Sequence, residues 1–228
     1  MMHLVIANKL YSSWSMRPWL VLTACDIPFE ETVIPLRLPD TAERIRAYSP
    51  SGKLPVLIDG DAVVWESLAI ISHLADRFPD RPVWPQGLAA RAHAKAIAME
   101  MHAGFMALRQ ACPMNLGKRF ATPPLADDLS ANIARIEEIF VGTRARFAAG
   151  GPYLFGSFSA ADAMFAPVVT RLDTYGLPVS AATRAYMDAV LAHPAFLAWK
   201  RAALAEPWTI EAYEAGHTAI EDFRAKAH

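Results

Sequence analysis

The sequence predicts a small α/β domain followed by a larger all-α domain. Three observations carry this expectation. In the first eighty residues, short β-rich apolar runs alternate with stretches of helical spacing. A proline-rich stretch then occupies residues 79–87, and beyond it apolar side chains recur only at helical spacing. The order is β-α-β, then β-β-α, then helices, which divides the chain into domains at 1–82 and 88–228.

Leu4-Val5-Ile6-Ala7, followed by Asn8, suits a short buried strand. Residues 15–24 turn helical, with Trp19, Leu20, Val21 and Leu22 as the apolar stripe; Pro18 is expected in the first turn, where its missing N–H costs nothing. Thr32-Val33-Ile34 predicts a second strand that Pro35 ends. Two β-rich runs between Pro55 and Trp65 flank Asp59-Gly60-Asp61, a hairpin turn. From Ser67, the expected N-cap, Leu68, Ile71, Leu74 and Phe78 keep helical spacing until Pro79. Helices are then predicted over 88–111, 125–147, 160–173, 181–192 and 195–205, with no further strand. Ser159-x-x-Asp162 reads as a reciprocal cap that serves folding.

Composition narrows the function. With 54% apolar and 20% charged residues the chain can build a sizeable core. Lys+Arg number 22 and Asp+Glu 23, so a net charge of -1 gives no bulk attraction to nucleic acid or acidic membranes. Two cysteines, Cys25 and Cys112, exclude a four-cysteine zinc site and argue against a disulfide scaffold. The histidines, at positions 3, 73, 93, 102, 193, 217 and 228, never fall four apart, so no metal is expected. The chain lacks Gly-rich phosphate loops and Gly-x-Ser-x-Gly. The first residues lack an export signal and no stretch could span a bilayer, so a cytoplasmic location is expected.

Three segments carry chemistry. The first strand runs into Leu10-Tyr11-Ser12-Ser13-Trp14-Ser15-Met16-Arg17 and a helix; Gly52-Lys53-Leu54-Pro55-Val56-Leu57 leads into the hairpin; Trp65-Glu66-Ser67-Leu68-Ala69-Ile70 opens the next helix. Their joint spacing resembles the thioredoxin-like domain of a cytosolic glutathione S-transferase. The remainder is similar to that family's helical second domain, including Phe158-Ser159-Ala160-Ala161-Asp162. The Ser-Ser-x-Ser-x-Arg pattern resembles the zeta class, which includes maleylacetoacetate isomerases; Trp14 stands where that class has cysteine.

The resemblance implies glutathione as cosubstrate, a small apolar electrophile as second substrate, and a homodimer. The free thiol, with a pKa near 8.5, is mostly protonated at neutral pH. A helix N-terminus and a donated hydroxyl both favour its thiolate, the hydroxyl by roughly 1.5–3 kcal/mol. Matching the zeta pattern selects Ser12 as that donor, counting back from Arg17 as in theta-like members selects Ser13, and Tyr11 offers a third hydroxyl; a serine here also suits a simple helix cap. Leu54-Pro55 matches a dipeptide with a cis-proline whose first residue meets the cysteinyl backbone of glutathione. Glu66 and Ser67 match the pair at the γ-glutamyl end, and Lys53 the group at the other carboxylate. Asn115-Leu116 matches a pair at the site border, and the electrophile is expected near Trp14, Asn115 and the helix around Met101 to Leu108. Arg17 and Arg171 could receive an acidic second substrate, with a surface or interdomain place the simpler expectation for Arg171. The alternatives are a zeta-like cis-trans isomerase of maleyl-type acids and a noncatalytic glutathione-binding or interaction protein. Disulfide exchange is not expected, since the loop at 12–15 has no cysteine and Cys25 lies at the helix's far end.

Overall fold

The computed structural model describes residues 1–224; the four beyond, His228 among them, lie outside the described residues. The N-terminal part is a four-stranded mixed sheet in the order β2-β1-β3-β4. Strand β1 (Met2–Ile6) pairs in parallel with β2 (Phe29–Val33), and antiparallel with β3 (Val56–Asp59). Strand β4 (Ala62–Trp65) returns antiparallel to β3, with Asp59 opposite Ala62. The expected hairpin turn is there, and Gly60 takes the positive φ (59°) that an L side chain resists.

Helix α1 (Ser13–Ala24) starts two residues before its expected position, because the Ser12 side chain caps it by accepting from the Ser15 N–H at 3.2 Å. Pro18 is therefore the sixth helical residue and not in the first turn. Ala7 was expected to finish β1, but its N–H donates to Ser15 Oγ at 3.0 Å and the chain leaves the sheet one residue early. A short helix α2 (Thr41–Arg46) carries no apolar periodicity in the sequence; it is polar and buries only Ile45. Helix α3 (Ser67–Arg77) is capped by Glu66, not by Ser67: one Glu66 carboxylate oxygen accepts from the Leu68 and Ala69 amides at 3.2 and 3.3 Å.

The C-terminal part is helical. The single helix expected over 88–111 is two: α4 (Leu88–Ala103) and α5 (Met106–Ala111). Gly104 ends α4, and a Cβ there would meet the Glu100 carbonyl oxygen at 2.8 Å; Phe105 then adopts a left-handed conformation. Arg109 serves the freed carbonyls, donating to Met101 O at 2.6 Å and Gly104 O at 2.9 Å. Helix α6 (Asp127–Phe147) opens with two aspartates that suit the dipole, and α7 (Ala160–Thr174), α8 (Ala181–Leu191) and α9 (Pro194–Leu204) follow. Two strands that alternation did not reveal, β5 (Lys118–Phe120) and β6 (Ala219–Asp222), pair antiparallel; three and four residues are too few to display a period.

Helix α7 is buried along almost its whole length and packs on α1, α4 and α8, joining both parts in one core. Its capping box forms as expected. The buried Asp162 carboxylate accepts from Ser159 N (2.9 Å), Ser159 Oγ (3.1 Å), Leu154 N (3.0 Å) and the Tyr186 hydroxyl (3.1 Å). Removing it strands four donors in the interior. Asp162→Ala is expected to lower stability by about 2–4 kcal/mol, read as a reduced midpoint in urea unfolding followed by circular dichroism.

Candidate functional site

A loop, residues 7–12, carries the chain from β1 to α1 and is fixed largely by the helical part. The buried Glu206 carboxylate, just past α9, accepts from the backbone amides of Lys9 (2.7 Å) and Leu10 (3.1 Å). The Trp199 indole donates to Lys9 O at 3.0 Å, and Leu116 N donates to Leu10 O at 3.2 Å. Lys9 itself pairs with Glu31 and lies over the rings of Trp19 and Trp199. The start of α1 is thereby held still at the edge of a cleft.

Two adjoining cavities occupy the cleft. The larger, about 570 Å³, is bordered by Ser12, Ser13, Tyr213, Arg109 and Arg171 among others. The smaller, about 470 Å³, is bordered by Ser51, Pro55, Trp65, Glu66 and Ser67. Trp14, Lys53, Leu54 and His102 border both.

The two candidate serines differ in what already engages them. Ser12 Oγ caps α1 and donates to Ser15 Oγ at 2.9 Å. Ser13 borders the same cavity and is nearly buried, with no side-chain role in the cap. The Tyr11 hydroxyl is committed elsewhere: it donates to Glu214 Oε1 at 2.6 Å, and burial, reinforced by that carboxylate, raises its pKa. The Glu214 carboxyl is held below the usual range. Burial alone would raise it, but hydrogen bonds from Lys118, Tyr11 and Asn115 outweigh that effect.

The Leu54-Pro55 peptide is cis. Lys53 is exposed at the junction of the cavities. Glu66 reaches the smaller cavity while capping α3, and Ser67 Oγ donates to its second carboxylate oxygen at 3.3 Å. Asn115 does not border either cavity. It is 1% exposed, its Oδ1 accepts from Gly117 N at 2.8 Å and its Nδ2 donates to Glu214 at 3.3 Å, so its neighbours Pro113 and Met114 form the wall. Of the two simpler places expected for Arg171, the surface is not where it lies; it is buried and borders the larger cavity, which residues of both parts line.

Sequence reasoning singled out neither Arg109 nor Tyr213, and reached His102 only as part of the helix around Met101 to Leu108. The break at Gly104 is the signal for Arg109, whose guanidinium comes within 5.3 Å of the centroid of the Trp14 ring on α1. Tyr213 lies in a short 3-10 turn (Glu211–Tyr213) with no periodic pattern, and packs against Tyr11 at 5.7 Å between ring centroids. Both buried thiols are poor nucleophiles: burial raises the Cys25 pKa to about 11 and that of Cys112 to about 12. Among the described residues, no cluster of His, Cys, Asp and Glu could hold a metal, and no helix is long and apolar enough to cross a membrane.

His102 lies 3.4 Å from Glu66, and its ring meets Trp14 edge-on at 5.0 Å. Its pKa falls below the usual value, chiefly through burial; Glu66 opposes the shift while Arg17 and Arg109 add to it. Burial therefore favours the neutral imidazole. Glu66→Gln removes the one opposing charge, so the His102 midpoint should fall further in a nuclear magnetic resonance titration; a rise or no change contradicts this electrostatic account.

Residues 11–77 match the family model described as glutathione S-transferase, N-terminal domain, and residues 91–202 match glutathione S-transferase, C-terminal domain. The chain is 26% identical over 183 residues to a probable maleylacetoacetate isomerase of Caenorhabditis elegans, covering 75% of this chain and 81% of that one. It is 28% identical over 153 residues to glutathione S-transferase Z2 of Arabidopsis thaliana, with coverage of 62% and 68%. Among solved structures, a Burkholderia glutathione transferase homolog with bound glutathione superposes with a TM-score of 0.67 at 20% identity, over 89% of this chain and 97% of that one. A theta-class glutathione S-transferase from Xanthomonas axonopodis, also with glutathione bound, gives a TM-score of 0.63 at 20% identity, over 90% and 98%. With both of its domain models matched across most of the chain, this protein belongs to the glutathione S-transferase family.

Proposed function

We propose that this chain is a glutathione transferase that binds glutathione across the smaller cavity and presents its sulfur to the larger one. The observation that carries this reading is the meeting of the two cavities at Trp14, Lys53 and Leu54, beside the hydroxyl-bearing start of α1. In this reading the Glu66 carboxylate receives the γ-glutamyl ammonium, and the Ser67 hydroxyl with the first amides of α3 receives its carboxylate. The Leu54 backbone pairs with the cysteinyl residue, and Lys53 reaches the glycyl carboxylate. Asn115 contributes by fixing the wall formed by its neighbours.

The sulfur then lies at the N-terminus of α1, where the helix dipole and a hydroxyl of Ser12 or Ser13 favour its ionised form. The serine donates a hydrogen bond and forms no covalent intermediate. The thiolate attacks an electrophilic carbon that the larger cavity holds close, so proximity supplies much of the acceleration. Burial in this setting makes the donated hydrogen bond stronger than it is in water.

A second reading, isomerisation of a maleyl-type acid with glutathione recovered unchanged, is favoured by the match to a probable maleylacetoacetate isomerase and by the Ser-Ser-x-Ser-x-Arg pattern. Turnover of maleylacetone to its trans isomer without net thiol loss distinguishes it. We also place the domain boundary within 83–87 and read the protein as a homodimer, with the exposed Val63, Trp65 and Met99 as apolar surface for the second copy. Light scattering on a size-exclusion column should give twice the chain mass; a monomer overturns this.

Replacing the sulfur's hydrogen-bond donor should cost roughly tenfold to a hundredfold in kcat/KM with glutathione and 1-chloro-2,4-dinitrobenzene, and raise the bound thiol's pKa by about 1–2. Ser12→Ala should also lower stability by about 1 kcal/mol, since it removes a helix cap, whereas Ser13→Ala should not. Thiolate absorbance near the ultraviolet edge and urea unfolding separate the two effects. Unchanged kcat/KM in both single variants and in the double variant removes serine from the mechanism.

A further inference from the structure

Among the described residues, Glu66 is the one carboxylate that borders either cavity; the other ionisable side chains of that kind of reach are Lys53, His102, Arg109 and Arg171, all basic. A cation entering the cleft therefore has a single counter-charge to meet. The two oxygens of Glu66 are unequally engaged. Oε1 accepts from the Leu68 and Ala69 amides and is tied to α3. Oε2 accepts from Ser67 Oγ at 3.3 Å and stands 3.4 Å from Nε2 of His102.

His102 is not clamped as a structural histidine is. Among the described residues its buried Nδ1 has no hydrogen-bond partner, and 3.4 Å at Nε2 is longer than a normal N–H···O contact. Charges from every neighbouring element bear on it. Arg17 on α1 and Arg109 on α5 oppose its protonation, and Glu66 at the start of α3 favours it. Lys53, before β3, borders the same two cavities. On its own helix, Glu100 is engaged by Arg135. An imidazolium at this place has Glu66 Oε2 for its counter-charge, the same oxygen that a ligand's ammonium would seek.

We propose that His102 is a positioning residue for the amino end of glutathione: the neutral imidazole leaves Glu66 Oε2 to the γ-glutamyl ammonium, whereas the imidazolium occupies that oxygen and turns the ammonium away. The proposal rests on the transferase reading and adds to it a residue of α4. Two cations cannot share one half-engaged oxygen, so the ligand's ammonium and the proton on His102 compete. Linkage makes the competition reciprocal. Protonation of His102 weakens binding of the ammonium, and the bound ammonium makes His102 harder to protonate. Affinity is therefore full above the His102 midpoint and falls as pH drops through it. Burial sets that midpoint below the ordinary imidazole value, which keeps the oxygen available over a wider range.

The test uses S-methylglutathione, which has no thiol to titrate, and glutaryl-S-methylcysteinylglycine, which has hydrogen in place of the amino group. In a nuclear magnetic resonance titration of the wild-type protein, saturation with S-methylglutathione should lower the His102 midpoint by about 1, equivalent to a roughly tenfold preference of the ligand for the neutral form. The analogue should leave the midpoint in place or raise it. Calorimetry should show S-methylglutathione weakening by about tenfold as pH falls through the midpoint, with no such loss for the analogue. In His102→Gln the dependence should flatten, and what remains belongs to Glu66 itself. Both wild-type comparisons stand if His102→Gln fails to fold. An equal fall with the two ligands overturns the proposal, since burial by the ligand then moves the midpoint. An unchanged midpoint, a rise with S-methylglutathione, or a pH dependence that His102→Gln retains in full also overturns it. If glutathione itself does not bind in the calorimeter, the transferase reading falls and takes the proposal with it; binding without the shift overturns the proposal alone.

Discussion

The grip of the Glu206 carboxylate on the Lys9 and Leu10 amides is the constraint on which the site depends. Residues 7–12 belong to no strand or helix, so their backbone groups must find partners elsewhere or remain in water. They find them largely on the other part of the molecule, in Glu206, Trp199 and Leu116. Burial raises the Glu206 pKa, while the two amides and the nearby Lys9 favour its charged form. The serines of α1 are therefore positioned by tertiary contacts as much as by their own helix. The shared core around α7 makes the arrangement stiff, because α1 packs directly on it.

From this seat the cleft acquires a charge gradient. Glu66 borders the smaller cavity, whereas Arg109 and Arg171 border the larger one. His102 borders both cavities, and burial disfavours its charged form. Charged groups on a ligand can be oriented by such an arrangement before any atom-to-atom fit is made.

Much of this architecture is legible in the sequence, for identifiable reasons. The hairpin between β3 and β4 announces itself because Gly60 sits between two β-rich runs, and the box at Ser159 and Asp162 because its spacing is rigid. The loop motifs around Ser12, Leu54 and Glu66 point to one cleft because each lies at a strand or helix end. What stayed hidden depends on distance. Nothing local indicates that Arg109 folds back onto Trp14, nor that Glu214, 203 residues beyond Tyr11, takes up its hydroxyl. The reversed roles of Glu66 and Ser67 were hidden for another reason. Both residue types can cap a helix, and only the backbone angles decide which of two neighbours occupies the position.

Glu206, Tyr213 and Glu214 all come from the segment after α9. During synthesis the ribosome releases the sheet and its serine-bearing loop long before these residues emerge. The cleft is thus completed by residues after α9, and a nascent chain that stops short of them has the parts of a site without all of its wall. Translation itself withholds competence until Glu214 has been made.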